Sequence, residues 1–242
     1  MSLLVGERIA DDGIYLSEDR RKNTKDIFIE AVKIINNRKT ICLSDTILDI
    51  GCATGEFIHY FKSFCPNNSF IGLDVSASLI NEAKRRDPDS AYITGNIEDQ
   101  HCFHAAGANV ITMFGVLDCL DDPDLILNNL IKWTKNDGLI LILDMFNNDP
   151  IDVLTRYKRA DQNPFTWECG WNIHSKYTLS KILENHERVS RFEFKPFTLS
   201  IELPKKEDPM RTWTIKTENN SRQLINGASQ LVNLEFIVIE TK

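Results

Sequence analysis

The sequence predicts an α/β fold with a doubly wound, mostly parallel sheet, and two observations carry this prediction. Short apolar segments alternate with helical segments between Thr46 and Phe146. These short segments are apolar at nearly every position, which is typical of strands that crossover helices cover on both faces. After Phe146 the alternation stops, and two longer apolar segments near the C terminus predict an antiparallel strand pair that completes a sheet of seven strands.

The elements of the first half follow in order. A helix is expected at 19–37, because apolar residues from Ile27 to Ile35 recur at helical spacing. The alternating region predicts five strands, at 46–50, 69–75, 91–97, 108–116 and 138–146. Further helices are expected at 56–64, 78–86 and 121–133. Pro123 suits the first turn of the last of these helices.

The second half is a mixed polar and aromatic segment followed by strands. A helix is expected at about 178–187, with Thr178 as its N-cap. The two long strands are expected at 191–203 and 231–240. Between them, 210–216 and 222–227 predict a small hairpin around Asn219 and Asn220.

Composition excludes several classes of function. The chain has 242 residues, a formal net charge of -7 and a pI near 5.3, which disfavours binding to DNA or to an anionic membrane surface. The first twelve residues are too soon acidic for a secretory signal, and the most apolar run, 139–146, is far too short for a membrane span, so we expect neither. The six cysteines are scattered without a CxxC pair, so we expect free thiols in the cytoplasm and no metal site.

The segment ILDIGCATGEF, residues 47–57, predicts a ligand-binding loop. A glycine-rich turn between a strand and a helix presents backbone N–H groups, and Gly51 and Gly55 permit close approach of a ligand. A dinucleotide fingerprint would require glycine where Ala53 and Glu56 stand, and no Lys-Ser/Thr pair of a P-loop follows. The loop therefore predicts a ligand without phosphates, and a cationic one.

The next two strands add a nucleoside site. Asp74 ends the second strand, 19 residues after Gly55, where an acid can accept hydrogen bonds from ribose hydroxyls. Asn96 ends the third strand and can pair with an adenine edge, with Ile97 beside the ring. Together with Asp49, these residues describe a nucleoside site that lacks a phosphate cradle.

Five motifs in register resemble the class I S-adenosylmethionine-dependent methyltransferase family. They are ILDIGCATGEF, FIGLDVS, ITGNIED, NVITMFGVLDCL and WTKNDGLILILD, and they cover about 46–146. The resemblance implies a Rossmann-like methyltransferase sheet and S-adenosyl-L-methionine as the cofactor. It divides the chain into an N-terminal helical cap or lid at 1–40 and a methyltransferase domain at 41–242. Within that domain, 46–146 is the cofactor half, and 147–242 holds the acceptor-side insert and the C-terminal strands.

The resemblance also implies roles for individual residues. The loop borders the methionine part of the cofactor, Asp74 holds the ribose, and Phe114 packs near the sulfonium. Two departures from the family pattern are Ala53, in place of the middle glycine, and Asn96, where aspartate is frequent. The expected cofactor-binding residues are Asp49, Gly51, Cys52, Ala53, Gly55, Asp74, Val75, Asn96, Ile97 and Phe114.

Three side chains are candidates for catalysis, because a general base helps when the methyl acceptor is a hydroxyl or a charged amine. Asp118 follows the fourth strand, and Tyr157 and His174 lie in the segment beyond the fifth. Two of them have a structural alternative: Asp118 as a cap of the helix near Asp122, and His174 as a hydrogen-bonding surface residue. Asp144 either faces the acceptor or caps the end of its strand.

The acceptor is expected to be a small molecule or a glycan. No Asn/Asp-Pro-Pro-aromatic tetrapeptide is present, and Cys119 does not follow a proline, which disfavours methylation of DNA bases. The C-terminal segment has a soft resemblance to methyltransferases of surface-polysaccharide assembly. The aromatic residues that would stack on a sugar, or else pack the antiparallel extension, are Trp167, Trp171, Trp213 and Tyr177. The alternatives are a cofactor-binding regulator without turnover, or a methyltransferase acting on protein or RNA.

Overall fold

The computed structural model describes residues 7–8, 12–17, 21–161, 167–208, 210–218 and 221–242. Within these ranges the helices are α1 Asp12–Ser17, α2 Asp26–Arg38, α3 Glu56–Lys62, α4 Ala77–Arg86, α5 Pro123–Trp133 and α6 Lys176–Asn185. The strands are β1 Glu7–Arg8, β2 Thr46–Ile50, β3 Ser69–Asp74, β4 Ala91–Thr94, β5 Ala108–Phe114, β6 Thr134–Asn147, β7 Arg156–Tyr157, β8 Glu168–Cys169, β9 His174–Ser175, β10 Val189–Pro196, β11 Trp213–Lys216, β12 Arg222–Ile225, β13 Leu231–Val232 and β14 Leu234–Thr241. No helix in this described part of the chain is long and apolar enough to cross a bilayer.

The main sheet confirms the predicted doubly wound fold. Seven strands lie side by side in the order β10-β14-β6-β5-β2-β3-β4. The five strands from β6 to β4 are mutually parallel, whereas β14 pairs antiparallel with both β6 and β10. Only β14 therefore reverses direction. The two-residue strand β9 pairs with the end of β6 as an eighth strand, too short to be predicted from sequence.

Helices cover both faces of this sheet, and the strands bury alternate residues towards each. Ile47 and Val110 pack on the face that carries α2, α3 and α4. Their sequence neighbours Leu48 and Ile111 pack on the opposite face, under α5 and α6. Because consecutive side chains point to opposite faces of a strand, apolar runs of this kind need two helical layers.

Several predicted boundaries were wrong, and two of them differ most from the structure. The N-terminal helix expected at 19–37 begins at Asp26, after Lys25 in an extended conformation, and 18–20 lie outside the described residues. The strand expected at 191–203 ends at Pro196. The Phe197 N–H still donates to the Leu234 carbonyl at 2.9 Å, and the pairing ends there because Leu234 is the first residue of the partner strand β14.

The N-caps also differ from expectation. The last helix begins at Lys176, and Ser175, not Thr178, caps it: the Ser175 hydroxyl accepts from the Tyr177 N–H at 3.1 Å. Asp122 caps α5 by accepting from the Leu125 N–H at 3.1 Å, so Asp118 is not the cap of that helix.

The predicted hairpin is present as β11 paired with β12, and its turn residues Asn219 and Asn220 lie outside the described residues. The strand expected at 231–240 is divided at Asn233 into β13, which joins the hairpin, and β14. A further small sheet has the order β1-β8-β7. The insert that contains β7, β8 and β9 follows β6 in the chain, and the β11–β13 sheet follows β10.

Candidate active site

Three cavities open where the parallel strands end, the edge at which ligands bind in doubly wound folds. We name them after one acidic residue each. The Asp74 cavity is lined by Ile50, Gly51, Leu73, Asp74, Val75, Gly95, Ile97 and Val116. The Asp49 cavity is lined by Tyr15, Lys25, Phe28, Asp49, Gly51, Cys52, Ala53, Glu56, Phe57 and Phe114.

The Asp118 cavity is the third and has a volume of about 300 Å³. It shares Tyr15, Lys25, Phe28 and Phe114 with the Asp49 cavity. The Asp49 cavity in turn shares Gly51 with the Asp74 cavity. The three cavities therefore follow one another along the edge of the sheet.

The loop after β2 has three residues with left-handed backbone angles, Gly51 at φ 69°, Ala53 at 47° and Gly55 at 80°. The Gly51 and Cys52 N–H groups both donate to the Leu73 carbonyl, at 2.8 and 3.2 Å, which ties the loop to β3. Gly55 is also constrained by space, because a Cβ there would lie 2.5 Å from the Tyr92 hydroxyl oxygen.

Asp74 holds the loop in position with its carboxylate. One oxygen accepts from the Ala53 N–H at 2.9 Å and the other from the Ser76 N–H at 2.9 Å. A carboxylate oxygen has two acceptor sites, so these bonds leave capacity for ligand hydroxyls. The structure thus brings Asp74 together with Val75 and Ile97 around one cavity.

Asn96 does not line the Asp74 cavity. Its side chain is exposed, with the amide oxygen accepting from the Glu98 N–H at 3.0 Å and the amide nitrogen donating to the Glu98 carboxylate at 3.1 Å. To pair with an adenine edge, this amide would have to leave its bonds to Glu98.

The Asp49 cavity is strongly acidic. Burial raises the pKa of Asp49 to about 7, opposed by a 2.7 Å hydrogen bond from the Thr112 hydroxyl and increased by the charges of Asp74 and Glu56. Glu56 is itself buried and accepts from the Thr54 hydroxyl, with Arg86 at 3.6 Å. This concentration of carboxyl groups suits a cationic ligand, in agreement with the sequence prediction.

Sequence analysis missed Lys25 and Tyr15. Both line the boundary of the Asp49 and Asp118 cavities, and the Lys25 ammonium lies 5.3 Å from the Phe28 ring centroid and 5.8 Å from that of Tyr15. In sequence, Lys25 reads as one of several cations on the polar side of a surface helix. Only the packing of α1 and α2 over the loop shows its position.

A buried carboxyl pair lies at the sheet side of the Asp118 cavity. The Asp118 N–H donates to the Asp144 carboxylate at 3.0 Å, and the Cys119 thiol donates to the Asp118 carboxylate at 3.3 Å. Burial, followed by the charge of Asp118, raises the pKa of Asp144 well above its ordinary value. Within the described residues, no group of three or more His, Cys, Asp or Glu is arranged to hold a metal ion.

The three catalytic candidates separate in the structure. Asp118 and Tyr157 both line the Asp118 cavity. His174 does not: its side chain is 2% exposed, and Nε2 lies 3.0 Å from the Leu120 carbonyl oxygen. This contact links His174, in the insert, to the segment that follows β5.

Of the four aromatic residues suggested for stacking, only Trp171 lines the Asp118 cavity. Trp167 and Trp213 instead stack with lysines, as the Lys158 ammonium lies 5.7 Å from the Trp167 ring and that of Lys205 lies 4.8 Å from the Trp213 ring. Trp167 and Tyr177 are exposed, so packing of the antiparallel extension does not describe these two side chains either.

Arginines and acids form the other side of the Asp118 cavity, which we call the roof. Arg159, Asp208 and Arg211 all line it. Arg159 donates to Asp208 at 2.9 Å and lies 3.4 Å from the Glu168 carboxylate. Arg211 lies 3.6 Å from the second oxygen of Asp208. The sequence had no pattern that would bring these four residues together.

Comparison with known proteins identifies one family. The family model described as "Methyltransferase domain" matches residues 44–194. Among curated proteins, the chain is similar to the malonyl-[acyl-carrier protein] O-methyltransferase of Hamiltonella defensa subsp. Acyrthosiphon pisum, with 23% identity over 49% of this chain and 45% of the relative. It is also similar to the trans-aconitate 2-methyltransferase of Afipia carboxidovorans, with 29% identity over 40% of this chain and 37% of the relative.

The chain thus spans less than half the length of these two curated relatives. Among solved structures, it is similar to a SAM-dependent methyltransferase from Aquifex aeolicus, with a TM-score of 0.55 and 15% identity over 97% of this chain and 100% of that one. At this identity the likeness concerns the fold, which agrees with the sheet order described above.

Proposed function

This chain belongs to the methyltransferase domain family, and on that premise we propose that it transfers a methyl group from S-adenosyl-L-methionine to a hydroxyl or amine of a small molecule. The observation that carries the proposal is the succession of three cavities from Asp74, past the acidic loop at Asp49, to the cavity at Asp118. It offers consecutive places for a nucleoside, a cationic amino-acid moiety and a second substrate.

The residues present fit this cofactor part by part. The free acceptor sites of Asp74 suit the ribose hydroxyls, and Val75 and Ile97 suit the faces of the adenine. Asp49 suits the ammonium of the methionine moiety, and Lys25 suits its carboxylate. The sulfonium would then lie near Phe114, where the Asp49 and Asp118 cavities meet.

The cofactor, when bound, supplies an already activated methyl group, so the protein mainly has to orient the acceptor in line with it. Asp118 is the proposed general base, because its carboxylate lines the cavity close to that junction and can accept the proton of a hydroxyl or an ammonium. Burial, followed by the charge of Asp118, raises the pKa of the neighbouring Asp144 well above its ordinary value, so Asp118 is the candidate base of the two carboxyl groups. Tyr157 is proposed to orient the acceptor from the insert.

A small acceptor agrees with the dimensions of the site. A volume of about 300 Å³ lies at the lower end of the range of about 300–1,000 Å³ typical of small-molecule sites. A sugar ring belongs to this size class, and Trp171 would provide a stacking face for it. The acidic net charge of -7 gives no support to an RNA acceptor.

Calorimetric titration with S-adenosyl-L-homocysteine tests the first half of the proposal. We expect saturable binding by the wild-type protein and an affinity weaker by about 1–3 kcal/mol for Asp74→Asn, whose amide loses the charge that ribose hydroxyls favour. Absence of binding at about millimolar ligand would refute a cofactor site here.

Incubation with S-adenosyl-L-methionine and fractionated cell extract tests the second half. We expect S-adenosyl-L-homocysteine to be released with the small-molecule fraction, and release to fall by about 10²-fold or more for Asp118→Asn at unchanged cofactor affinity. Release only with the protein or RNA fraction would favour a macromolecular acceptor. No release with any fraction, despite cofactor binding, would favour the regulator without turnover.

A further inference from the structure

The roof of the Asp118 cavity holds two guanidinium groups directed at one carboxylate. Arg159 Nη1 donates to Asp208 Oδ1 at 2.9 Å, and Arg211 Nε lies 3.6 Å from Asp208 Oδ2. Each oxygen of Asp208 thus faces a different arginine. Since the planar guanidinium fork matches a carboxylate better than any other side chain does, this arrangement is a carboxylate-binding pair already filled by an internal carboxylate.

The arginine pair belongs to the ligand cavity and not to the protein surface. Both arginines line the cavity, and their side chains are only 19% and 22% exposed. Asp208 is more exposed, at 30%. It lies in the connection between β10 and β11, outside any helix or strand, where a change of side-chain position disturbs no hydrogen-bond ladder. Burial opposes its charge, yet hydrogen bonds from Arg159 and the Met210 N–H hold the pKa of Asp208 below its ordinary value.

We propose that Arg159 and Arg211 bind a carboxylate group of the methyl acceptor, and that Asp208 occupies this position until the acceptor arrives. This inference rests on the proposed function, because it names the chemical class of substrate for the same site. The acceptor is accordingly a small carboxylic acid that also carries the hydroxyl or amine to be methylated.

The opposite sides of the cavity explain how such an acceptor would be oriented. Asp118 and Asp144 line the sheet side, close to Phe114, and the charge of Asp118 repels an anionic group there. The arginines line the insert side and attract it. A carboxylate bound at the roof therefore directs the remainder of the molecule, with its nucleophile, towards Asp118.

Two names among the relatives point to the same chemistry. The chain is similar to a trans-aconitate 2-methyltransferase and to a malonyl-[acyl-carrier protein] O-methyltransferase. Trans-aconitate and the malonyl group both carry carboxylates. These names describe the relatives only, and they guide the choice of probes for this chain.

A purely structural ion cluster is the competing explanation, since Arg159 also lies 3.4 Å from Glu168 in β8 and so links β8 to the Asp208 segment. The two explanations differ in what they expect of Asp208. If Asp208 is only a structural partner, Asp208→Asn loosens the roof and weakens any ligand there. If Asp208 competes with the acceptor, Asp208→Asn removes the competing charge and tightens carboxylate binding.

The experiment titrates the full chain, saturated with S-adenosyl-L-homocysteine, with trans-aconitate and with malonate. We expect the wild-type protein to bind at least one probe. Its affinity should be roughly tenfold or more weaker in Arg159→Gln and in Arg211→Gln, and tighter in Asp208→Asn. Arg156→Gln is the matched control, because Arg156 is a neighbouring arginine that pairs with Asp121 and does not line the cavity. Its affinity for the probe should equal that of the wild type.

Binding of neither probe, or equal binding by wild type and both arginine variants, would overturn the proposal. So would binding of inorganic phosphate or of trimethyl trans-aconitate in place of the acids, because the pair would then not select carboxylates. Cofactor affinity is measured on the same samples. If the wild-type protein does not bind the cofactor, the result counts against the proposed function. If it binds the cofactor but neither carboxylate probe, the result counts against this inference alone.

Discussion

Asp49 is a buried carboxyl group inside the candidate site, where it lines the Asp49 cavity. It is 3% exposed, and burial raises its pKa to about 7. A raised pKa in the folded state means that folding favours the protonated form. The contribution to stability is fully present below the pKa of the unfolded chain and is lost as the pH rises towards 7.

Asp49→Asn should therefore stabilise the free protein at about pH 8.5 by an amount on the order of 1–3 kcal/mol and have less effect at about pH 5.5. The amide is always neutral and can still accept the hydrogen bond from the Thr112 hydroxyl. Urea unfolding at the two pH values measures the difference. Equal effects at both pH values would contradict the buried charge.

The same substitution should act oppositely on the cofactor. If the ionised Asp49 pairs with the methionine ammonium, affinity for S-adenosyl-L-methionine rises with pH through about 7 in the wild type. In Asp49→Asn this rise should disappear. Calorimetric titration across the pH range checks it, and a rise of the same size in the variant would assign it to another group.

Lys25 can be tested with a pair of ligands that differ in the methionine moiety. We expect Lys25→Met to weaken S-adenosyl-L-homocysteine binding by about 1–3 kcal/mol, because the variant retains the aliphatic stem and loses the charge facing the carboxylate. Binding of 5′-methylthioadenosine, which lacks that carboxylate, should be unchanged. Lys33→Met, at an exposed position of α2, is the control.

Equal weakening of both ligands by Lys25→Met would show that Lys25 supports the cavity wall through its contacts with Phe28 and Tyr15. Both outcomes are read from the same titrations. The residue was not predictable from sequence, because its neighbours in space come from three separate segments.

At the scale of elements, the insert after β6 is attached to the sheet through Asn172. The Asn172 side chain is fully buried, donates to the Leu120 carbonyl at 3.0 Å and accepts from the Thr155 N–H at 2.8 Å. Its backbone N–H donates to the Asp118 carbonyl at 2.8 Å. One residue therefore joins the roof of the Asp118 cavity to its base.

Asn172→Ala should cost about 1–3 kcal/mol of stability, because it removes a buried hydrogen bond to the Leu120 carbonyl and a part-buried one from the Thr155 N–H. We expect faster proteolysis within 147–175 and an affinity for S-adenosyl-L-homocysteine close to that of the wild type, since the Asp74 and Asp49 cavities do not include the insert. Asn128→Ala, at an exposed position of α5, is the control. Loss of cofactor affinity would show that the insert also shapes the cofactor cavities.

The elements that sequence predicted well are those with a strong periodic signal. The parallel strands and their helices repeat one pattern over about one hundred residues. Each apolar strand is buried in the same way, with helices on both faces of the sheet. The failures have local causes. The strand β10 ends opposite the first residues of its partner β14, inside the apolar run, and β9 is formed only because the insert folds back on β6.

At the scale of the whole molecule, the N-terminal segment joins the cofactor half through side chains. Asp12 in α1 accepts hydrogen bonds from Ser76 and Ser78 at the start of α4, and Tyr15 lines two cavities. A cap or lid at 1–40 stays a prediction, and so do the boundaries of the cofactor and acceptor halves. Residues 1–6, 9–11 and 18–20 lie outside the part of the chain that the structure describes.

The sequence by itself determined the fold class, the family and the cofactor, because these depend on contiguous motifs. The conformation of a short loop between a strand and a helix depends mainly on its own residues. Gly51, Gly55 and Asp74 could be placed from spacing alone. Only the tertiary structure brings Lys25 to the Asp49 cavity, and Arg159 and Asp208 to the roof of the Asp118 cavity, because these residues come from distant segments. Each of them looks like an ordinary surface charge in sequence, and only packing gives it a cavity and a partner.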